Sequence, residues 1–445
     1  MNALIKPAQV LRGTITVLAD KAICHRAALL CALIDGTTEI TPWSSADDCA
    51  RTLQVLCQLG VRAQHVGEGI RLRGVGLTGL RAASRALDCG ESGTTIRLLC
   101  GLLAGQPFQS WLTAGPALRG RPMRRVADPL TQMGARVEGR AGRGQRRHEL
   151  YPPLIVQGRR PLRGLTYALP VASAQVKSAL LLAGLYGDRP TTIREPRPTR
   201  DHTERLLARL GVSIQRRGHA ITLTPPRIAL TAPRRLVVPG DFSSAAFFIV
   251  AAAIVPGSRL VLRRVSLNPT RTKLLDVLRR MGASIQVTQE GSGWEPMGTL
   301  TIAHRPLHGI AISANDVPAL IDELPILMVA ACAARGTTAF HGLQELRVKE
   351  TDRVHSMTTG LRRLGAGVRL QGSSGVCISA SRLRGGVVDS LGDHRTAMSL
   401  AIAALTADGA TRIRDAGCVT KSFGTFFHTL ASVTGAGSRA IRGQG

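Results

Sequence analysis

The chain has 445 residues, enough for two or three domains with cores of their own, which excludes a small module held together by disulfides or a metal. With 44% hydrophobic residues, 20% charged residues and 48 glycines it is a folded globular protein and not a disordered or fibrous one. The formal charge of +29 would fit nucleic acid or an anionic membrane, but the arginines are scattered through every segment and 8 Phe, 3 Tyr and 3 Trp supply no stacking platforms; small anionic ligands fit better.

So few aromatics predict a core of Leu, Ile, Val and Ala. Only six cations are lysines, namely Lys6, Lys21, Lys177, Lys273, Lys349 and Lys421. In a chain that writes nearly every cation as Arg, each marks a place where a compact ammonium suits. Nine cysteines without a C-x-x-C pair argue against a disulfide framework or a zinc cluster and for a reducing cytoplasm. The first twenty residues lack a signal-peptide core, and the longest apolar run, residues 245–255, is too short to span a bilayer.

A phrase recurs along the chain: an apolar helix-like run, a glycine, then a strand-like run. Its six copies close on Gly36, Gly105, Gly187, Gly257, Gly336 and Gly409, at spacings of 69 to 82 residues. A second phrase alternates with it, an amphipathic helix closing on Leu-Gly or Met-Gly. It stands at Leu59-Gly60, Met133-Gly134, Leu210-Gly211, Met281-Gly282 and Leu364-Gly365, with a degenerate copy near Gly435. Glycine there predicts a left-handed helix C-cap. Each unit therefore reads as strand, enclosed helix, strand, outer helix, strand, and six such units imply two domains of three.

The entrances to the apolar helices are polar. In chain order they are Asp20-Lys21 with His25-Arg26; Gly90-Glu91-Ser92-Gly93-Thr94-Thr95 with Arg97; Ser173-Ala174-Gln175 with Lys177; Gly240-Asp241-Phe242-Ser243-Ser244; Asp322-Glu323; and Asp393-His394-Arg395. Helix N-termini offer unpaired N–H groups and a positive dipole end, so several together suit a multiply anionic ligand. Thr95, Ser243 and Ser244 read as ordinary N-caps. Lys21, Arg26, Arg97 and Arg395 oppose the dipole and need a paired carboxylate or a bound anion. Residues 118–125 form a turn dense in guanidinium groups, suited to carboxylate or phosphate, with most of its arginines solvated. Lys349 and Arg353 fall four apart, on one face of a helix, with Glu350 beside them. That is either a surface charge network or the setting for an acid–base glutamate.

Taken together and in order, Gly90 to Arg97 with Arg121, Ser173-Ala174-Gln175, Lys349-Glu350-Thr351-Asp352-Arg353, Asp393-His394-Arg395 and Lys421-Ser422-Phe423 resemble the 5-enolpyruvylshikimate-3-phosphate synthases, or 3-phosphoshikimate 1-carboxyvinyltransferases. Arg200-Asp201-His202-Thr203-Glu204, Ser173 to Lys177 and Asn268-Pro269-Thr270-Arg271 are similar to the glyphosate-tolerant class II branch. The resemblance implies an α/β enolpyruvyl transferase fold of six βαβαββ units, three per domain. One domain would be residues 21–239, mainly the acceptor side; the other would join 1–20 to 240–445 and carry the acid–base residues, with the active site in the cleft between. It implies transfer of the enolpyruvyl group of phosphoenolpyruvate to the 5-hydroxyl of shikimate 3-phosphate, by addition and elimination, without metal or organic cofactor. The implied catalytic residues are Asp322, Glu350, Lys21 and Lys421. Shikimate 3-phosphate would be held by Lys21, Arg26, Ser173, Gln175, Arg200, Asp322 and Lys349, and phosphoenolpyruvate by Lys21, Gly93, Arg121, Gln175, Arg353, Arg395 and Lys421. The partners are these small anions, with no nucleic acid and no membrane, and the enzyme would be a cytoplasmic monomer.

Three motifs depart from the family pattern. Ala19-Asp20-Lys21-Ala22 stands for Gly-Asp-Lys-Ser, Glu91 for the Asn of Gly-Asn-Ser-Gly, and Cys24 for the Ser before His25. A carboxylate at Glu91 would repel phosphoenolpyruvate unless an arginine of the 119–125 turn neutralised it. The departures leave open an enolpyruvyl transferase with another hydroxy-acid acceptor. A catalytically silent basic binding protein is a further alternative, whereas the UDP-N-acetylglucosamine enzyme is disfavoured because no cysteine lies between Cys100 and Cys332.

Overall fold

The computed structural model describes residues 1–291, 293–434 and 441–444; the copy of the second phrase near Gly435 lies outside them. The chain forms two compact units, one of residues 19–238 and one joining 1–18 to 239–445.

Each unit repeats one motif three times. An apolar helix is buried almost all round and leads into a strand, an outer helix and an antiparallel strand pair, which is a hairpin in every copy but the last. The enclosed helices are Lys21–Cys31, Gly93–Ala104 and Ala174–Gly184 in one unit, and Phe242–Ile254, Leu324–Ala333 and His394–Ala404 in the other. Every residue of Phe242–Ile254 is buried, which an apolar helix without a polar stripe requires. The outer helices Asp47–Gln58, Arg124–Gln132, His202–Arg209, Lys273–Arg280 and Arg353–Arg363 each bury one face. The glycine after each lies at φ between +83° and +101°, the left-handed cap its Leu-Gly or Met-Gly phrase predicts.

Among the described residues there are six four-stranded sheets of one order. In the second of them, Leu87–Asp88 runs parallel to Gln109–Thr113, which pairs antiparallel with Leu150–Gln157, itself the hairpin partner of Arg136–Ala141. The ends of the chain complete the pattern. Arg12–Thr16 precedes the Lys21 helix in sequence but pairs with Arg259–Ser266, while Arg235–Val237 precedes the Phe242 helix but pairs with Thr37–Thr41. Asn2–Ile5 fills the last sheet between Thr411–Arg414 and Ile441–Gln444.

The aliphatic core expected from composition holds in the 19–238 unit. In the other unit it is modified, because seven of the eight phenylalanines fall there. Phe247, Phe248, Phe423, Phe426 and Phe427 meet edge-on or tilted, with ring centroids 5.2 to 6.0 Å apart, a geometry that adds to simple area burial. Among the described residues no helix is long and apolar enough to cross a membrane.

Candidate functional site

Two of the enclosed helices, those opening at Gly93 and Phe242, are capped two or three residues earlier than the sequence suggests. Asp20 accepts from the Ile23 amide, Ser92 from Thr95, Ser173 from Val176, Asp241 from Ser243, and Asp393 from both Arg395 and Thr396. Thr95, Ser243 and Ser244 are therefore not the caps. Their hydroxyls are free for other bonds: Ser243 donates to Glu323 at 2.5 Å, and Thr95 joins a chain from His25 through Thr52 and Thr95 to Ser92, each step 2.7 Å.

In the 19–238 unit the structure brings the predicted residues into two neighbouring groups. Lys21 opens its helix and pairs with Asp48 at 2.9 Å, so the unfavourable dipole position of the ammonium is offset by a carboxylate in the first turn of Asp47–Gln58. Arg26, one turn on, is buried; its guanidinium donates to Thr203 Oγ1 at 2.8 Å, Ser178 Oγ at 2.9 Å and the Ala22 carbonyl at 2.9 Å. The second group centres on Gly93. A Cβ there would come within 2.7 Å of Arg121 Nη1 and 2.8 Å of Arg97 Nη1, so both guanidiniums lie against the glycine face. Arg97 also donates to Gln175 Oε1 at 2.8 Å, and Gln175 donates to Thr94 at 2.9 Å. Ser173 caps the Gln175 helix, and half-buried Arg200 ends the loop before Asp201.

In the 1–18 and 239–445 unit one guanidinium is the organising group. The Arg353 side chain is 1% exposed and donates from Nε to Asp393 at 2.8 Å, from Nη1 to Asp322 at 3.3 Å and from Nη2 to Glu350 at 2.5 Å. Arg395 approaches Asp322 from another side, Nε to carboxylate at 3.4 Å and Nη1 to its carbonyl at 3.1 Å. Lys421 ends the 3-10 turn Ala416–Lys421 and donates to the Gly392 carbonyl at 3.1 Å, beside the Asp393 entrance. The phrase 349–353 needs correction, since Lys349 and Arg353 do not share a helical face. Lys349 caps the 3-10 turn Leu343–Val348, Glu350 lies in the connection, and the helix starts at Arg353 with Asp352 as its cap. That break is what lets Glu350 fold back onto Arg353.

Burial alone would push the Asp393 carboxyl up, but the Arg353 guanidinium and His394 outweigh it and hold it below the usual carboxylate range. Burial likewise opposes the charge on Arg353, and Asp393, Glu350 and Asp322 together more than restore it. A carboxyl shifted down in the folded state stabilises the fold above its ordinary pKa and loses that contribution as pH falls below it. Asp393→Asn keeps a capping side chain and removes one of three anions from Arg353. It is expected to cost about 1.5–3 kcal/mol at neutral pH, the range for a hydrogen bond to a charged group. Urea unfolding should show the gap from the wild type closing below about pH 4, where an ordinary Asp is protonated.

Glu91 takes no arginine of the 119–125 turn. Its carboxylate accepts from the backbone N–H groups of Leu118 at 2.8 Å and Ala117 at 3.3 Å, so it ties down the turn that carries Arg119 and Arg121. Gly115 makes room: a Cβ there would stand 2.2 Å from Glu91 Oε1. Gly115→Ala is expected to lose about 1–3 kcal/mol in urea unfolding, and adding Glu91→Ala should recover most of the clash component, because the atom struck is gone. Cys24 is an interior change: it is fully buried, and burial pushes its thiol up.

Sequence reasoning did not single out Asp48 as the partner of Lys21 or Asp393 as a partner of Arg353. Asp48 gave no signal, since acids open helices routinely. Asp393 stands in a phrase quoted for Arg395, and its capping role hides its contact with Arg353. Among the described residues no group of three His, Cys, Asp or Glu could hold a metal ion.

Three sheets around three enclosed helices in each unit define the enolpyruvyl transferase class of fold. The enolpyruvyl transferase NikO from Streptomyces tendae shares it at a TM-score of 0.78 with 16% identity over 99% of this chain and 98% of that one. Within the class, the family model of EPSP synthase (3-phosphoshikimate 1-carboxyvinyltransferase) matches residues 5–430, and the chain belongs to that family. It is 47% identical over 430 residues, 95% of each chain, to a 3-phosphoshikimate 1-carboxyvinyltransferase of Acidithiobacillus ferrooxidans. It is 43% identical to the protein of that name from Bacillus cytotoxicus, over 97% of this chain and 100% of that one. The EPSP synthase structure from Acinetobacter baumannii superposes at a TM-score of 0.87, with 38% identity and full coverage of both chains.

Proposed function

We propose that this enzyme transfers the enolpyruvyl group of phosphoenolpyruvate to the 5-hydroxyl of shikimate 3-phosphate and releases phosphate. Both substrates are anions, and their approach needs fixed positive charge. In this reading Arg26, Ser173, Gln175, Arg200 and Lys349 hold the acceptor. Gly93, Arg121, Gln175, Arg353 and Arg395 hold phosphoenolpyruvate, and Lys21 and Lys421 neutralise the developing charge.

The acceptor hydroxyl adds to C2 of phosphoenolpyruvate as Asp322 takes its proton and Glu350 delivers a proton to the methylene carbon. The tetrahedral ketal phosphate then loses phosphate as Glu350 removes a proton from the new methyl group and Asp322 passes the hydroxyl proton to the departing phosphate. Glu350 is therefore acid in one step and base in the next, which requires it to stay in place while its charge changes. The observation that carries this assignment is the sharing of Arg353 by Asp322 and Glu350, at 3.3 and 2.5 Å: one nearly buried cation fixes both carboxylates. Nine unpaired thiols, eight of them buried, suit a reducing cytoplasm, where the protein would act as a monomer.

The test is a phosphate-release assay with phosphoenolpyruvate and either shikimate 3-phosphate or unphosphorylated shikimate. Release that depends on shikimate 3-phosphate is the expected result; preference for another hydroxylated acid would replace the acceptor while leaving the fold unchanged.

A further inference from the structure

Lys177 has no part in the reaction above, yet it is one of six lysines and its side chain is 0% exposed. An ammonium carries three N–H donors, and three acceptors surround this one: Glu204 Oε1 at 2.6 Å, Glu195 Oε1 at 3.1 Å and the Thr199 carbonyl at 3.4 Å. Glu195 closes the loop on itself by accepting from the Thr199 amide at 3.1 Å and from its hydroxyl, while its other oxygen takes Arg216 at 3.3 Å. The loop of residues 195–200 is thereby pinned to the helix Ala174–Gly184, and Arg200 is its last residue.

The neighbouring positions extend the tie. Ser178 follows Lys177 and Thr203 precedes Glu204; their hydroxyls meet at 2.7 Å, and both accept from Arg26. Two adjacent residues on each helix thus join the Gln175 helix to the His202 helix and hold the Arg26 guanidinium. An arginine at 177 would present a planar fork where three acceptors surround a point charge.

We propose that Lys177 is a positioning residue for the acceptor: its buried ammonium, tied to Glu195 and Glu204, sets where Arg200 and Arg26 stand relative to the helix that carries Ser173 and Gln175. The proposal rests on the shikimate 3-phosphate reading. Buried ion pairs can also be replaced by apolar groups without loss of stability, so the test must separate holding the fold from placing the ligand groups.

The experiment measures kcat, both KM values and the thermal midpoint for wild type, Lys177→Met, Glu204→Gln and the double variant Lys177→Met/Glu204→Leu. The double variant leaves no carboxylate stranded, because Glu195 keeps Arg216. Both variants that lack Lys177 are expected to raise the KM for shikimate 3-phosphate about tenfold with that for phosphoenolpyruvate within about twofold. The double variant should regain the thermal midpoint but not the KM. Glu204→Gln, which keeps an acceptor for the ammonium, should stay within about threefold of wild type in both. Equal shifts in the two KM values, or a double variant restored in both KM and thermal midpoint, overturn the proposal. If Lys177→Met does not fold, the double variant decides between the same outcomes. A wild type that releases no phosphate overturns the functional reading and this inference with it, whereas an active wild type confines any failure to Lys177.

Discussion

Glu350→Gln is expected to lower kcat by about 10²- to 10⁴-fold, the usual contribution of a positioned acid–base group, with little change in either KM. Gln keeps the length of the side chain and an oxygen that can accept from Arg353, so the connection between the Leu343–Val348 turn and the Arg353 helix should hold its shape. What is lost is the capacity to give a proton and take one back. Single-turnover measurements should place the loss in the chemical steps and not in substrate binding. A variant with normal turnover would remove Glu350 from the mechanism.

Arg353→Met is expected to have the largest effect on stability. The guanidinium neutralises Asp393, whose side chain is 0% exposed, together with the partly exposed Asp322 and Glu350. Removing it strands a buried carboxylate and leaves three anions without the cation they share. A loss of about 3–5 kcal/mol is the range for breaking one side of a buried pair. Arg353→Lys should fall between the two, because an ammonium cannot span three carboxylates with the reach of a planar fork. Urea unfolding at neutral pH reads both variants, and an Arg353→Met protein within about 1 kcal/mol of wild type would mean that the carboxylates find other partners. Activity should be lost in either case, since Asp322 and Glu350 lose the group that fixes them.

The elements of this fold are legible in the sequence because their signals are local. An apolar run without a polar stripe becomes an enclosed helix, as at Phe242–Ile254, and a helix ending on Leu-Gly or Met-Gly takes a left-handed cap because glycine alone adopts that φ cheaply. The helix entrances were legible as charged, and the ordered motifs named the family. The boundary at residues 349–353 was not. A Lys and an Arg four apart look like one helical face, and only the Asp352 cap reveals that the helix starts after Glu350.

The sequence by itself determined six units, two kinds of helix and a set of cations that oppose the helix dipole. Which partners those cations take was decided by tertiary structure. Arg353 draws its three carboxylates from positions 31, 3 and 40 residues away, and Glu91 turns to backbone N–H groups 26 and 27 residues on. The strands before the Lys21 and Phe242 helices join sheets far along the chain from those helices. The physical reason is the same in each case: helix and turn preferences act over a few residues, whereas ion pairs, buried hydrogen bonds and strand pairing are settled only when distant segments compete for the same donors and acceptors in a shared interior.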